Sequence, residues 1–153
     1  PYRPCDATCV EVGDPMSNPV VLVFSNRADV RESVILGIGR RPAHDVGRVD
    51  FLECSTVAEV LMAVDENKAD VLVLDAEAQP AGGMGISRQV HLEAAIVPPV
   101  ILLVRREDDR WLATWAKADE VLMYPVDPVT AAESVAAVLR RRGAVHAASH
   151  AAQ

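Results

Sequence analysis

The chain has 153 residues, half of them hydrophobic, and a formal net charge of −7. That is enough chain for one domain with a core, and too apolar a composition for a disordered one. The acidic balance, broken only by the run Arg140, Arg141 and Arg142, argues against nucleic acid as a partner. No apolar run approaches the roughly 20 residues that span a bilayer, and no signal-peptide core is evident, so the expectation is a cytoplasmic protein without direct membrane insertion.

Residues 1–17 read as an N-terminal leader, with Pro4, Pro15 and polar residues in no period. Met16 is an alternative natural start. Cys5 and Cys9 could close a small loop or contribute to a metal site, but their spacing matches no zinc pattern; two free thiols is the preferred reading. No metal and no cofactor is expected.

From residue 18 the pattern alternates. "VVLVF" (20–24) predicts a strand buried on both faces. Val30, Val34, Ile35 and Ile38 recur at helical spacing, with Asp29 expected to cap that helix. "VDFLEC" (49–54) is a more polar strand, expected near an edge. Thr56 and Glu59 form a capping-box signature ahead of the stripe Val57, Val60, Leu61 and Val64. "VLVL" (71–74) is a third strand and ends on Asp75. A helix is expected over 85–95, stopped by Pro98 and Pro99, then a strand "VILLV" (100–104). "DDRWLATWAKA" (108–118) is read as helical and "EVLM" (120–123) as a fifth strand. Asp127 and Pro128 look like N-cap and first helical residue. The last helix should close at the three arginines, leaving 143–153 as a C-terminal tail.

Five strand–helix repeats predict a parallel sheet covered on both faces. Chemistry in such folds gathers at the carboxyl ends of the strands. Asp75 stands there, with Ser25, Asn26, Val104, Arg105 and Tyr124. The glycine loop after Asp75 ("AGGMG") lacks the lysine and hydroxyl of a phosphate loop and reads as a turn. "GIG" (37–39) lies inside a helix pattern and is no dinucleotide fingerprint. His91, His146 and His150 have no ligand spacing and are read as solvated. Trp111 and Trp115, four apart on one helix face, are more often core than interface, though tryptophan is enriched in binding hot spots.

Residues 18–142 resemble a response-regulator receiver domain, through Asp75, the loop with Pro80 and Gly85, and the strand-five ending "YPVDP" (124–128). The resemblance implies a flavodoxin-like (βα)5 fold, sheet order 2-1-3-4-5, with a cis Tyr124–Pro125 peptide. It also implies a site. Two acids after strand one would hold Mg²⁺ together with a phosphoacceptor, the position of Asp75. A hydroxyl ending strand four and a lysine before the strand-five proline would meet the phosphoryl group. This sequence puts Ser25 and Asn26 at the acidic pair, Val104 at the hydroxyl and Tyr124 at the lysine; Asp75 and Pro125 keep the pattern. Three placements of Asp75 are weighed: paired with Arg27, paired with Arg105, or solvated and bound to loop amides.

"PAGGMGIS", "DDRWLATWAKA" and "YPVDP" further resemble small stand-alone receiver-like proteins of actinobacteria, encoded beside the operon for respiratory NADH–quinone oxidoreductase (complex I). That implies a non-enzymatic accessory module docking on a protein partner, such as peripheral-arm subunits of complex I at the cytoplasmic face of the inner membrane. Trp111, Trp115, Tyr124 and the tails would be the contact candidates. The alternatives are a single-domain response regulator phosphorylated on Asp75 by a histidine kinase, and a small flavodoxin-like ligand binder or enzyme.

Overall fold

The structure is a computed structural model that describes residues 18–78 and 82–151, with side chains through Arg142. Its elements alternate as expected. They are β1 (Val20–Phe24), α1 (Ala28–Ile38), β2 (Asp50–Cys54), α2 (Val57–Asp65), β3 (Val71–Asp75), α3 (Gly83–Glu93), β4 (Val100–Val104), α4 (Leu112–Trp115), β5 (Glu120–Met123) and α5 (Pro128–Ala151). The strands form one sheet in the order β2-β1-β3-β4-β5, every neighbour parallel. The Tyr124–Pro125 peptide is cis.

Strand alternation explains why the apolar runs are unbroken. Odd positions of β1 and β3 (Val21, Val23, Val71, Val73) face α1 and α5, where Val30, Val34, Ala131 and Val135 meet them. Even positions (Leu22, Phe24, Leu72, Leu74) face α2 and α3, against Val60, Val64, Ile86 and Val90. A strand sandwiched between two helical layers must be apolar at every position. β2, on the edge, keeps Asp50 and Glu53 exposed, as its polar sequence predicted.

The caps divide. Glu59 N–H donates to Thr56 Oγ1 at 3.2 Å, and the Glu59 carboxylate takes the hydroxyl hydrogens of Thr56 and Ser55. Thr130 N–H donates to Asp127 Oδ2 at 3.0 Å. Asp29 does not cap α1. That helix begins at Ala28 with Arg27 as its extended N-cap residue, so Asp29 is already inside the first turn. There its charge still favours the positive end of the helix dipole.

Two boundaries differ from the sequence reading. Residues 108–118 do not make one helix: a 3-10 turn (Glu107–Asp109) precedes the single turn α4, and Lys117 takes a positive φ of 60°. Only Ala113 and Ala116 of this segment are buried, too little apolar surface to hold a longer amphipathic helix. At the other end, α5 does not stop at the arginines but runs on to Ala151. The stretch after Arg142 is rich in alanine, the best helix former, and holds one glycine and no proline.

Candidate functional site

The site sits at the carboxyl edge of the sheet. The ladder hydrogen bonds run past the strand ends: Ser25 N–H donates to Cys54 O, Ala76 N–H to Leu103 O, and Tyr124 N–H to Val104 O. The residues after β1, β3 and β5 are therefore held by main chain along one edge of the sheet, where Asp75 stands.

Asp75 is only 2% exposed. Its Oδ2 accepts the Ser25 hydroxyl hydrogen at 2.8 Å, and its Oδ1 accepts the Glu77 N–H at 2.9 Å. The second bond is local, a side chain turning back on the amide two residues on. The first spans the sheet from β1 to β3. Ser25 is itself fully buried. Its Oγ accepts from Arg27 N–H at 3.1 Å, and its carbonyl accepts from Arg31 at 2.7 Å, while Arg31 also pairs with Glu53 at 3.1 Å. A buried carboxylate is tolerated when hydrogen bonds replace lost water, and here both oxygens are engaged.

Neither arginine reaches Asp75, which corrects both pairing expectations. Arg27 pairs with Asp29 at 3.9 Å. Arg105 meets Glu77 Oε2 at 3.3 Å and lays its guanidinium over the Tyr124 ring, 4.6 Å from the centroid. The solvated reading also fails in part: the loop amide is there, the solvent exposure is not. The buried Arg105 Nε makes no directed hydrogen bond among the described residues. A cation–π contact and an off-angle ion pair hold it instead.

Val104 is buried with Leu102, Ala113 and Ala116 in the small core beneath α4. Tyr124 is half-buried against the α1–α5 layer. Asn26 is exposed beside the site. The glycines after Asp75 serve packing. A Cβ on Gly83 would stand 2.8 Å from Leu74 Cβ and 2.9 Å from Asp75 O, and one on Gly82 would stand 2.5 Å from Ala76 O. The turn needs glycine because α3 starts against the end of β3. Pro80, Cys5 and Cys9 lie outside the described residues.

The expectation of core tryptophans is overturned. Trp111 is 67% exposed and Trp115 51%. Arg88 stacks over Trp115 at 4.3 Å and donates to its carbonyl at 3.0 Å. Buried Ser87 donates to Ala116 O at 2.6 Å, so α3 side chains satisfy the end of the short α4. His91 is not simply solvated either: its Nδ1 lies 2.8 Å from Ser87 O. Sequence reading missed Glu77, Arg31 and Ser87. The spacing of Glu77 from an aspartate at a strand end was a usable turn signal; the other two act across the fold.

A hard divalent cation takes carboxylate oxygens. Here one carboxylate stands at the site, with both oxygens already accepting hydrogen bonds, and its neighbours offer a hydroxyl and an amide. Among the described residues no group of three or more His, Cys, Asp or Glu could hold a metal. This donor set does not fit Mg²⁺. Nor is any described helix long and apolar enough to cross a membrane.

A parallel 2-1-3-4-5 sheet with an aspartate ending its third strand defines a receiver-type module. Solved receivers share it. A Francisella response-regulator receiver domain superposes with a TM-score of 0.68 at 19% identity, covering 82% of this chain and 99% of that one. The chemotaxis response regulator CheY4 of Vibrio cholerae gives 0.65 at 17%, covering 80% and 99%. No family model matches the chain. Its sequence is nevertheless 38% identical over 120 residues to a response regulatory protein of Mycobacterium tuberculosis, spanning 78% of this chain and 90% of the relative. The chain belongs to the response-regulator receiver family.

Proposed function

We propose that this protein is a degenerate receiver that regulates by docking on a protein partner without phosphorylation of Asp75. The single observation that carries the reading is the Ser25–Asp75 hydrogen bond. The position that would supply a metal-binding acid supplies a hydroxyl hydrogen to the would-be nucleophile. Phosphoryl transfer is almost wholly charge neutralisation and positioning; Val104 brings no hydroxyl to the end of β4, and Tyr124 brings no ammonium to the end of β5. The docking surface is the corner carrying Trp111, Trp115 and Tyr124. The exposed tryptophans support it, since large rigid side chains contribute most to interface energy.

The partner is the peripheral arm of a respiratory NADH–quinone oxidoreductase, at the cytoplasmic face of the membrane. This rests on the resemblance of the "PAGGMGIS", "DDRWLATWAKA" and "YPVDP" segments to the stand-alone receiver-like proteins. The mycobacterial source of the relative supports the actinobacterial part of that resemblance.

Two experiments test these statements separately. Incubation with acetyl phosphate or beryllofluoride and Mg²⁺ should give no adduct. A stoichiometric acid-labile adduct, abolished by Asp75→Asn, would establish a live regulator instead. Affinity purification from native membranes should recover peripheral-arm subunits; their absence would remove the complex I setting.

A further inference from the structure

We infer that the free edge of β2 and the groove between β2 and α1 form a two-fold interface with a second copy of this chain, the two β2 strands pairing antiparallel. The groove has a volume of about 640 Å³ and is lined by Ile35, Leu36, Arg40, Val49, Phe51 and Glu53. Leu36 is 72% exposed, although α1 buries Val34 and Ile38 on either side of it. The inference does not depend on whether Asp75 is phosphorylated, nor on the docking corner at Trp111 and Trp115.

Three observations select this occupant. The first is hydrogen-bonding parity. Asp50 N–H donates to Pro19 O, and Ser25 N–H to Cys54 O, so Asp50, Leu52 and Cys54 direct their main-chain groups toward β1. By strand alternation Phe51 and Glu53 direct theirs outward. No strand of the described sheet lies beyond β2, so these groups form an open edge. A two-fold axis beside Leu52 sets Phe51 of each copy opposite Glu53 of the other, with about four main-chain hydrogen bonds between them. The second is spacing. α1 shares a core layer with Val21 and Val23 of β1 and with Phe51 of β2. Strands lie about 4.8 Å apart, so the same axis brings the two α1 helices to roughly 10 Å, a distance at which helices pack. Leu36 of each copy then closes the groove of the other.

The third is charge. Exposed Glu32 stands one turn before Leu36 on the same face of α1. Exposed Arg40 follows the Gly39 that ends α1. The surface thus runs from an acid through an apolar middle to a base. Among the described residues neither Glu32 nor Arg40 is in an ion pair. Arg41 and Arg48 are also exposed at the basic end. A half-turn reverses the direction, so Glu32 of each copy meets Arg40 of the other, with the two Leu36 side chains between. A two-fold interface requires such a self-complementary patch. A partner of one charge sign would satisfy one end of this surface and be repelled by the other, which favours a second copy.

The test is sedimentation equilibrium of the full chain over a concentration series, with residue-resolved amide hydrogen exchange on the same samples. A monomer–dimer equilibrium is expected, and exchange at the Phe51 and Glu53 amides should slow as concentration rises. The Leu72 amide, held inside the sheet by Pro99 O, should not change. Leu36→Asp alters an exposed side chain, so the domain should stay folded by circular dichroism while the dimer weakens at least tenfold. Glu32→Arg alone and Arg40→Glu alone set like charges together across the axis and should each weaken it as well. The double exchange Glu32→Arg/Arg40→Glu restores the pairing and should return the dimer to its native strength. A native chain that stays monomeric at millimolar concentration would overturn the inference. So would a dimer that Leu36→Asp leaves intact, or a double exchange no stronger than either single one, because the contact would then lie elsewhere.

Discussion

The Ser25 hydroxyl donates a 2.8 Å hydrogen bond to Asp75 Oδ2 across fifty residues of sequence. It joins the ends of β1 and β3 and occupies one oxygen of the buried carboxylate, the other accepting from Glu77 N–H. Ser25→Ala should therefore destabilise the fold, by about 1–3 kcal/mol, because a buried acceptor loses its partner. Urea unfolding checks this. Ser25→Asp with Asn26→Asp rebuilds a carboxylate cluster with Asp75. That variant should be strongly destabilised without divalent cations by like-charge repulsion. Its Tm should rise with added Mg²⁺, while the native chain's should not.

The tryptophans predict a separation of stability from docking. Trp111 is mostly exposed, so Trp111→Ala should change stability by no more than about 0.5 kcal/mol. Trp115→Ala also loses the Arg88 stack, worth about 0.5–1 kcal/mol at an exposed site. Both should reduce recovery of partner subunits in a pull-down by at least tenfold, with unchanged circular dichroism. Full recovery by the double variant would move the docking surface elsewhere.

The glycines of the β3–α3 turn should behave oppositely. Gly83→Ala places a Cβ against Leu74 and the Asp75 carbonyl at under 3 Å, and backbone must move. A loss of about 1–3 kcal/mol is expected from overpacking. Gly85 has nothing within 4 Å of the same construction and lies inside α3. Gly85→Ala should stabilise by about 0.5–1 kcal/mol through helix propensity. Thermal denaturation of the two variants decides it.

Cys54, buried at the end of β2, has its thiol pKa pushed up from 9.0 to about 11, first by burial and then by the Glu59 charge. The folded state therefore holds this proton longer than the unfolded chain. Its contribution is fully present below pH 9 and is lost as pH rises toward about 11. Cys54→Val should flatten the fall in stability over that window. An unchanged slope would assign the alkaline loss to other groups.

What the sequence by itself determined is what short-range chemistry specifies. Doubly buried strands announce themselves as unbroken apolar runs at 20–24, 71–74 and 100–104. The Thr56 and Asp127 caps follow from residues three positions apart. Asp75 at a strand end, with Ser25, Asn26, Val104 and Tyr124 at neighbouring strand ends, is likewise legible once the repeats are counted. The family pattern supplied the order of the sheet. The tertiary structure decided what holds Asp75. Arg105 is closer in sequence to Asp75 than Ser25 is, but its charge is taken up by Glu77 and the Tyr124 face, while parallel pairing of β1 with β3 carries Ser25 onto the carboxylate. It also decided the exposure of Trp111 and Trp115, because α4 is one turn long and buries only alanines. Helical spacing shows which residues share a face, but the neighbour that covers that face is set by contacts distant in the chain.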